Sequence, residues 1–227
     1  MNIVVVGAGI SGMVAAYLLS RDHLVTVLEA GDYIGGHTHT VDVECEGKVY
    51  PIDTGFIVFN ERTYPNFIRL LRDLNVPSHP TEMSFSVRCD KTGLEYNGTS
   101  LNALFAQRRN LLRPSFHRMI RDILRFNREA LRLLESSDDT LTLGDYLEKH
   151  CFSDAFVNHY IIPMGAAIWS AQPGTMRRFP ARAFVRFFHN HGMLTVNDRP
   201  VWRVIAGGSK EYVRALTRPF KDRSEEH

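Results

Sequence analysis

The chain has 227 residues, of which 44% are hydrophobic and 23% are charged, a composition typical of a soluble globular protein. A formal net charge of +2 gives no general attraction to nucleic acid, and no apolar run reaches the ~18 residues of a membrane-spanning helix. Three widely spaced cysteines (Cys45, Cys89 and Cys151) without a CxxC pair disfavour a disulfide framework or a thiolate zinc site and indicate reduced thiols in a cytoplasmic protein.

The first thirty residues predict a strand, a glycine turn, a helix and a second strand. The β-branched run NIVVV at residues 2–6 is typical of a parallel strand buried on both faces, and no basic segment precedes it as in a signal peptide. The sequence GAGISG follows at residues 7–12, and MVAAYLLSR then has the pattern of a helix. HLVTVLEA predicts the second strand, at whose end Glu29 lies.

This order of elements indicates a Rossmann-like dinucleotide-binding unit. Gly7 permits a tight turn, Gly9 lets a pyrophosphate approach the backbone, and Gly12 lets the helix pack closely on the sheet. Free N–H groups at the helix start bind phosphates, and the Glu29 carboxylate accepts hydrogen bonds from a ribose diol, which disfavours NADP. The predicted contact residues of this part are Gly7, Ala8, Gly9, Ile10, Ser11, Gly12, Glu29 and Ala30.

Residues 31–40, GDYIGGHTHT, allow three interpretations. His37 and His39 would share one face of a strand and could bind a metal, but no third ligand follows at a recognisable spacing. A plain surface turn is the second interpretation. The third is a cofactor loop, because the pair Gly35–Gly36 closely follows Glu29, and a plain NAD dehydrogenase does not need a glycine pair there.

The order GAGISG, LEA and GGHTHT resembles the FAD-binding half of flavin-containing amine-oxidase-like proteins, which include monoamine oxidases, protoporphyrinogen oxidase and phytoene desaturases. The resemblance implies a flavin-dependent oxidoreductase that uses FAD to remove a hydride from a C–N or C–C bond. It also implies that Gly35, Gly36, His37 and Thr38 wrap the FAD diphosphate and ribityl chain. Most members have arginine after the glycine pair, and His37 is similar to a subgroup associated with fatty-acyl modification.

The next segment, VDVECEGKVYPIDTGFIVFN, predicts a hairpin with its turn at EGK, followed by a loop that contains glycine. The resemblance implies that a D-x-G segment here, Asp53 to Gly55, and the following Phe56 bring backbone close to the flavin ring. An ordinary strand-end bulge is the alternative for Gly55.

Other elements continue the pattern along the chain. TYPNFIRLLRDLN predicts a helix with Thr63 as cap and Pro65 in its first turn, and SFSVRC and LEYNG predict two paired strands. PVWRVIAGGSKEYVRAL resembles the family's return strand and the helix after it. Gly207 and Gly208 would form the turn there, and Ser209 would cap the helix.

Residues 101–136 carry eight arginines against three acidic residues, a local charge of 8 − 3 = +5. Pro114 would break a helix, so a new helix is predicted to begin there. Five arginines spaced 3, 4, 3 and 4 residues apart would form one helical stripe, a solvated face or a peripheral contact with an anionic membrane or a partner. These arginines are Arg118, Arg121, Arg125, Arg128 and Arg132.

Residues 140–192 resemble the helical part of the same family, in which segments such as IIPMGAAIWS and FFHNHGML line the cavity that faces the flavin. The resemblance points to Trp169, Ser170, His189 and His191 as candidate catalytic or wall residues. Core packing is the alternative for Trp169, and a turn is the alternative for His191. The lack of charged residues in IIPMGAAIWS favours an apolar, lipid-like small molecule over a small charged amine as substrate.

These patterns predict an α/β chain with a Rossmann-like FAD/NAD(P)-binding domain around a parallel sheet, plus an incomplete α+β substrate domain with a helical insert. Residues 1–60 and 200–227 are assigned to the first domain and residues 61–199 to the second. The resemblance covers about the first half of a family member, so we expect a fragment that binds FAD weakly or not at all. An NAD-dependent dehydrogenase and a non-catalytic nucleotide fold that binds a partner or a membrane are the alternatives.

Overall fold

The computed structural model describes residues 1–195, 200–220 and 225–226, and the chain divides into two compact units. Unit 1 combines Met1–Met83 with Val201–His227, and unit 2 is Ser84–Pro200. Residues 61–83, which the sequence division assigned to the second domain, lie in unit 1 because strand Ser78–Thr81 pairs with strand Trp202–Ile205. Residues 196–199, 221–224 and 227 of the predicted domain ranges lie outside the described residues.

The chain passes from unit 1 to unit 2 and back. It begins in unit 1 with β1 (Asn2–Val6), α1 (Ile10–Leu19), β2 (Leu24–Glu29), β3 (Thr40–Cys45), β4 (Lys48–Asp53), β5 (Phe59–Asn60), α2 (Pro65–Asp73) and β6 (Ser78–Thr81). Unit 2 contains β7 (Ser86–Cys89), β8 (Leu94–Asn97), α3 (Leu101–Leu104), α4 (Pro114–Glu129), α5 (Leu143–Lys149), α6 (Asp154–Phe156), α7 (Ile162–Trp169), α8 (Pro173–Arg177) and α9 (Ala181–Asn190). Unit 1 is completed by β9 (Trp202–Ile205), α10 (Lys210–Thr217) and β10 (Glu225–Glu226).

Strands β1, β2 and β10 form the predicted parallel sheet, in the order β1-β2-β10. Val25 and Val27 of β2 are buried in the core of unit 1, to which helices α1 and α10 also contribute. Val4 and Val6 on β1 are 60% and 83% exposed. The prediction that β1 is buried on both faces is therefore wrong, since the described elements cover only one face of this strand.

The predicted hairpin is confirmed as β3 and β4, which pair antiparallel with Cys45 opposite Lys48. Glu46 and Gly47 form its turn with positive φ angles of 51° and 71°, the conformation whose twist suits a two-residue hairpin loop. Strand β4 ends at Asp53, so the hairpin leads directly into the predicted D-x-G segment.

Helix α2 has Pro65 in its first turn as predicted, but it starts at this residue and its cap differs from the prediction. Tyr64 occupies the N-cap position and makes no capping bond with its side chain. The Thr63 hydroxyl instead donates to Oδ1 of the buried Asn60 at 3.1 Å. The prediction that Thr63 caps α2 is wrong, because its hydroxyl donates to Asn60 at the end of β5 and not to the helix.

Unit 2 is a mainly helical body around an aromatic core. The two predicted strands are confirmed as the antiparallel pair β7–β8, and α4 begins at Pro114 as predicted. A π-helical segment, Val157–Ile161, joins α6 to α7, while short 3-10 segments flank α4. Among the described residues, no helix is both long enough and apolar enough to cross a membrane.

Candidate functional site

The turn between β1 and α1 is built from glycines with different requirements. Gly7 has a φ of +94°, and its N–H extends the parallel ladder to the carbonyl oxygen of Leu28 at 2.7 Å. A Cβ on Gly12 would lie 2.0 Å from the Gly7 carbonyl oxygen, whereas a Cβ on Gly9 would meet no atom within 4 Å. Packing therefore requires glycine at position 12, and the space beside Gly9 is open to a ligand.

The start of α1 offers backbone donors beside this open space. Gly9 is the N-cap residue and supplies no side-chain hydrogen bond. The first N–H groups of any α-helix lack partners within the helix, and Ile10 and Ser11, which occupy these positions, are exposed. Such a helix start favours an anionic ligand.

Glu29 holds the turn from the end of β2. Its carboxylate accepts hydrogen bonds from the N–H groups of Ala8 at 2.6 Å, Gly31 at 2.9 Å and Ala30 at 2.9 Å. These donors, the Ala8 N–H first among them, lower the pKa of Glu29 below its ordinary value. The carboxylate is therefore an ionised acceptor next to the glycine turn at neutral pH.

The glycine pair packs backbone to backbone on the turn. The Gly35 N–H donates to the carbonyl oxygen of Ala8 at 2.9 Å, and Gly35 forms a parallel bridge with Gly9. A Cβ on Gly36 would lie 2.9 Å from the Cα of Gly9. Both glycines of the pair have positive φ, 129° and 61°. The loop and the turn thus form one continuous backbone surface.

The two histidines of the loop are exposed. The His39 ring lies with its Nδ1 2.7 Å from the Thr54 hydroxyl, and its centroid is 4.9 Å from the Tyr33 ring. No group of three His, Cys, Asp or Glu side chains suited to a metal occurs within the described part of the chain. The structure thus supplies no further ligand for a metal site at His37 and His39.

The segment after β4 lies against this loop. A Cβ on Gly55 would lie 1.8 Å from the carbonyl oxygen of His37, so the residue marks a close approach of two backbones. The half-buried Phe56 makes edge-to-face contacts with Tyr64 and Phe67, at centroid distances of 6.0 and 5.3 Å. Gly55 therefore fixes the course of the loop, and the Phe56 ring packs inside unit 1.

Asp53 joins the hairpin to helix α10. Its carboxylate accepts hydrogen bonds from the Thr40 hydroxyl at 2.6 Å and from the hydroxyl and N–H of Ser209 at 2.7 and 2.9 Å. The Thr40 hydroxyl oxygen in turn accepts the Lys210 N–H at 3.0 Å. The prediction that the Ser209 side chain caps α10 is wrong, because its hydroxyl binds Asp53 and the hairpin supplies the acceptors.

Tyr212 on α10 holds the other end of the loop. Its hydroxyl hydrogen-bonds to the hydroxyl of the buried Thr38. The Tyr212 ring is 1% exposed and contacts Phe67 edge to face, and burial raises the pKa of this phenol. Sequence reasoning named Thr38 but missed Thr40 and Tyr212, since their bonds join the loop to α10, which is remote in sequence.

The four candidate wall residues lie in unit 2, at the ends of two helices. Trp169 packs on Phe179, Phe184 and Phe187, with centroid distances of 4.9, 5.5 and 4.7 Å. His191 is stacked on Phe187 at 3.9 Å, with Nδ1 2.8 Å from the Phe187 carbonyl oxygen. The packing alternative for Trp169 and the turn alternative for His191 thus both have a structural basis.

The other two candidates are more exposed. Ser170 ends α7 in the left-handed conformation, with a φ of 47°, and His189 lies in the last turn of α9. Both side chains belong to exposed residues of unit 2. A role for Trp169, Ser170, His189 and His191 as walls of a flavin cavity stays a prediction.

Comparison with known proteins gives a consistent family signal. A family profile described as flavin containing amine oxidoreductase matches residues 10–226. The L-amino-acid oxidase of Bungarus fasciatus is 51% identical over 47 residues, which are 20% of this chain and 9% of that protein.

Solved structures extend the similarity to the whole chain. Cyclohexylamine oxidase from Brevibacterium oxydans IH-35A has a TM-score of 0.69 at 18% identity, over 98% of this chain and 50% of its own. Wild-type putrescine oxidase bound to putrescine has a TM-score of 0.64 at 21% identity, over 100% of this chain and 51% of its own. The predicted fold class is thereby confirmed, and the chain spans about half the length of these structures.

Proposed function

Since this chain belongs to the family of flavin-containing amine oxidoreductases, we propose that it forms the FAD-binding part of an enzyme that removes a hydride from a C–N or C–C bond. The predicted resemblance is confirmed, and with it the oxidoreductase class and FAD as cofactor at the level of the family. The observation that carries the proposal is the convergence of three glycine-containing segments, 7–12, 35–38 and 53–56, on one backbone surface beside Glu29.

The residues present fit the diphosphate and ribose of FAD. Backbone N–H groups at the start of α1, the open space beside Gly9 and the glycine pair suit a diphosphate, because an anion needs close access to unpartnered donors. The ionised Glu29 carboxylate suits a ribose diol. His37 supplies an exposed imidazole where the family resemblance implies arginine, so phosphate binding here would depend more on backbone groups.

The chain's own residues would bind and orient the cofactor. When bound, FAD supplies the hydride acceptor, so the protein needs mainly to position the substrate and exclude water. Asp53 and Tyr212 contribute by holding the loop and the D-x-G segment in place through α10. The predicted approach of Gly55 and Phe56 to the flavin ring is part of this proposal.

The proposed substrate is an apolar small molecule with a lipid-like chain. The aromatic interior of unit 2 and the apolar helix α7 support this choice over a small charged amine. Putrescine oxidase and cyclohexylamine oxidase have names that indicate amine substrates. An amine joined to an apolar group therefore agrees both with these names and with the apolar residues of unit 2. The same proposal includes membership of the subgroup associated with fatty-acyl modification. It also includes a cytoplasmic location at the periphery of a membrane.

Nucleotide titration of the purified chain tests the cofactor. FAD, riboflavin and NAD⁺ would each be titrated by calorimetry, with flavin fluorescence as the second readout. We expect one FAD per chain at saturation, bound at least about tenfold more tightly than riboflavin, because the described contacts are to the diphosphate and ribose. Tighter binding of NAD⁺ than of FAD would favour the dehydrogenase alternative, and no binding of either nucleotide would favour a non-catalytic fold.

A further inference from the structure

One face of α4 and of the 3-10 segment after it carries exposed arginines and leucines together. Leu124 and Leu131 are 47% and 37% exposed and lie seven residues apart, so they share one edge of the helical surface. Four arginines of the same face, Arg118, Arg121, Arg128 and Arg132, are also exposed. We name this face the arginine–leucine surface and define it by Arg118, Arg121, Leu124, Arg128, Leu131 and Arg132.

Arg125, the central arginine of the predicted stripe, does not belong to this surface. Its guanidinium lies 4.0 Å from the centroid of the Phe152 ring, and its Nη2 donates to the His150 carbonyl oxygen at 3.1 Å. The same nitrogen is 3.4 Å from the buried Asp122 carboxylate. Arg125 therefore packs within unit 2, and the stripe of five arginines is reduced to four that face solvent.

The charge of the exposed face is strongly positive. Asp122 is 7% exposed and lies beside Arg125, so its negative charge is directed inward. A surface groove of about 520 Å³ is lined by Arg118, Arg121 and Arg128, with Leu124, Arg125, Asp122 and Glu129 completing it. Four solvent-facing arginines outnumber the half-buried Glu129 and the exposed Glu135, and the net positive charge favours an anionic partner.

We propose that the arginine–leucine surface docks the protein on an anionic lipid bilayer. The arginines would pair with lipid phosphates, and Leu124 and Leu131 would enter the apolar boundary of the headgroup layer. Exposed leucines at the edge of a basic face favour a bilayer over nucleic acid, which offers phosphates but no apolar layer. The inference identifies the surface and lipid class behind the peripheral location proposed above, and it is independent of FAD binding.

Vesicle co-sedimentation of the purified chain tests the surface. Vesicles of phosphatidylcholine with about 30% phosphatidylglycerol would be compared with pure phosphatidylcholine, at about 0.1 M and about 0.5 M NaCl. We expect binding only to the anionic vesicles and weakening at high salt. The double variant Arg121→Gln/Arg128→Gln should bind about 25-fold more weakly, from about fivefold for each charge removed.

Two further variants separate the contributions of apolar contact and of general positive charge to vesicle binding. Leu124→Ser/Leu131→Ser should reduce vesicle binding about tenfold with the charge unchanged. The matched control Arg69→Gln/Arg72→Gln removes two exposed arginines, three residues apart, from α2 and should change binding less than about twofold. Melting curves would establish that all three variants are folded.

Three results would overturn the inference. They are absence of wild-type binding to anionic vesicles, an equal loss in the α2 control, and unchanged binding after loss of the leucines. Tighter binding to duplex DNA than to the vesicles would assign the surface to nucleic acid instead. A separate FAD titration distinguishes failure of the docking surface from failure of the proposed function.

Discussion

At the scale of single residues, the glycines of the site fall into two physical classes. Gly12 and Gly55 lie where a Cβ would meet backbone, at 2.0 and 1.8 Å, so they are fixed by the packing of the chain on itself. Gly9 lies where a Cβ would meet open space. The same G-x-G-x-x-G motif therefore contains one residue needed for packing and another beside open space, where the proposal places the ligand.

Gly12→Ala should destabilise the chain without any cofactor present. The added methyl group would lie 2.0 Å from the Gly7 carbonyl oxygen, so α1 has to move away from the turn. We expect a loss of at least ~2 kcal/mol in the free energy of unfolding. Urea unfolding measures it, and Gly174→Ala, where no atom lies within 4 Å of the new Cβ, is the control. Equal stability of the two variants would contradict the packing argument.

Glu29 should make stability depend on pH. The N–H groups of Ala8, Gly31 and Ala30 hold its pKa in the folded state below the ordinary value of 4.5. The carboxylate therefore stabilises the fold above the unfolded-state pKa, and this contribution is lost as pH falls through the folded-state pKa. Glu29→Gln should unfold at lower urea than wild type near neutral pH, and the two curves should converge in acid. A constant difference at all pH values would contradict this account.

At the scale of elements, the main finding is that α10 secures two of the three glycine-containing segments. Asp53 and Thr40 supply the acceptors at its start, and Tyr212 binds Thr38 of the loop one turn later. The helix is remote in sequence but adjacent to the site. Its hydrogen bonds to Thr38, Thr40 and Asp53 thus hold the loop and the D-x-G segment in place.

Asp53→Ala should loosen this connection. It removes the acceptor for the Ser209 hydroxyl and N–H and for the Thr40 hydroxyl, so we expect a loss of about 1–2 kcal/mol in the free energy of unfolding. Asp42→Ala is the matched control. Asp42, on the exposed hairpin, pairs with Lys210 of α10, and exposed ion pairs contribute less than about 1 kcal/mol to stability. If the control proves as destabilising as Asp53→Ala, the capping role of Asp53 is wrong.

The sequence predicted the elements that depend on local patterns. Four predicted features follow from neighbouring residues, and the structure has each of them. They are the glycine turn, the β3–β4 hairpin, the start of a new helix at Pro114, and the turn at Gly207 and Gly208 before α10. The sequence could not predict hydrogen bonds such as Asp53–Ser209 and Thr38–Tyr212, whose partners are 156 and 174 residues apart. Thr63 does not cap α2, because its hydroxyl donates to Asn60, three residues earlier. Ser209 occupies the N-cap position of α10, but its hydroxyl donates to the remote Asp53 and makes no capping bond.

At the scale of the whole molecule, the sheet of unit 1 has one covered and one open side. Val4 and Val6 of β1 are largely exposed, although parallel sheets are generally covered on both faces. The solved relatives are about twice as long as this chain. Within the described residues, the proposed cofactor contacts around Gly9 and Glu29 are to the diphosphate and ribose of FAD.

We therefore expect the purified chain to carry less than one FAD. The cradle around Gly9 and Glu29 would bind added FAD but lose it during purification, since weakly bound cofactor dissociates as free ligand is removed. The ratio of flavin absorbance to protein absorbance measures occupancy. A yellow preparation with one FAD per chain would show that the residues of this chain suffice for tight binding.

The most direct test of the account compares FAD binding by wild type, Gly9→Ala and Gly174→Ala. A Cβ at position 9 meets no protein atom, so Gly9→Ala should unfold at the wild-type urea concentration. The same methyl group would occupy the space proposed for the diphosphate, so its FAD dissociation constant should rise at least about tenfold, while Gly174→Ala should match wild type. Unchanged FAD affinity in a folded Gly9→Ala variant would contradict the proposal that FAD binds at this glycine cradle.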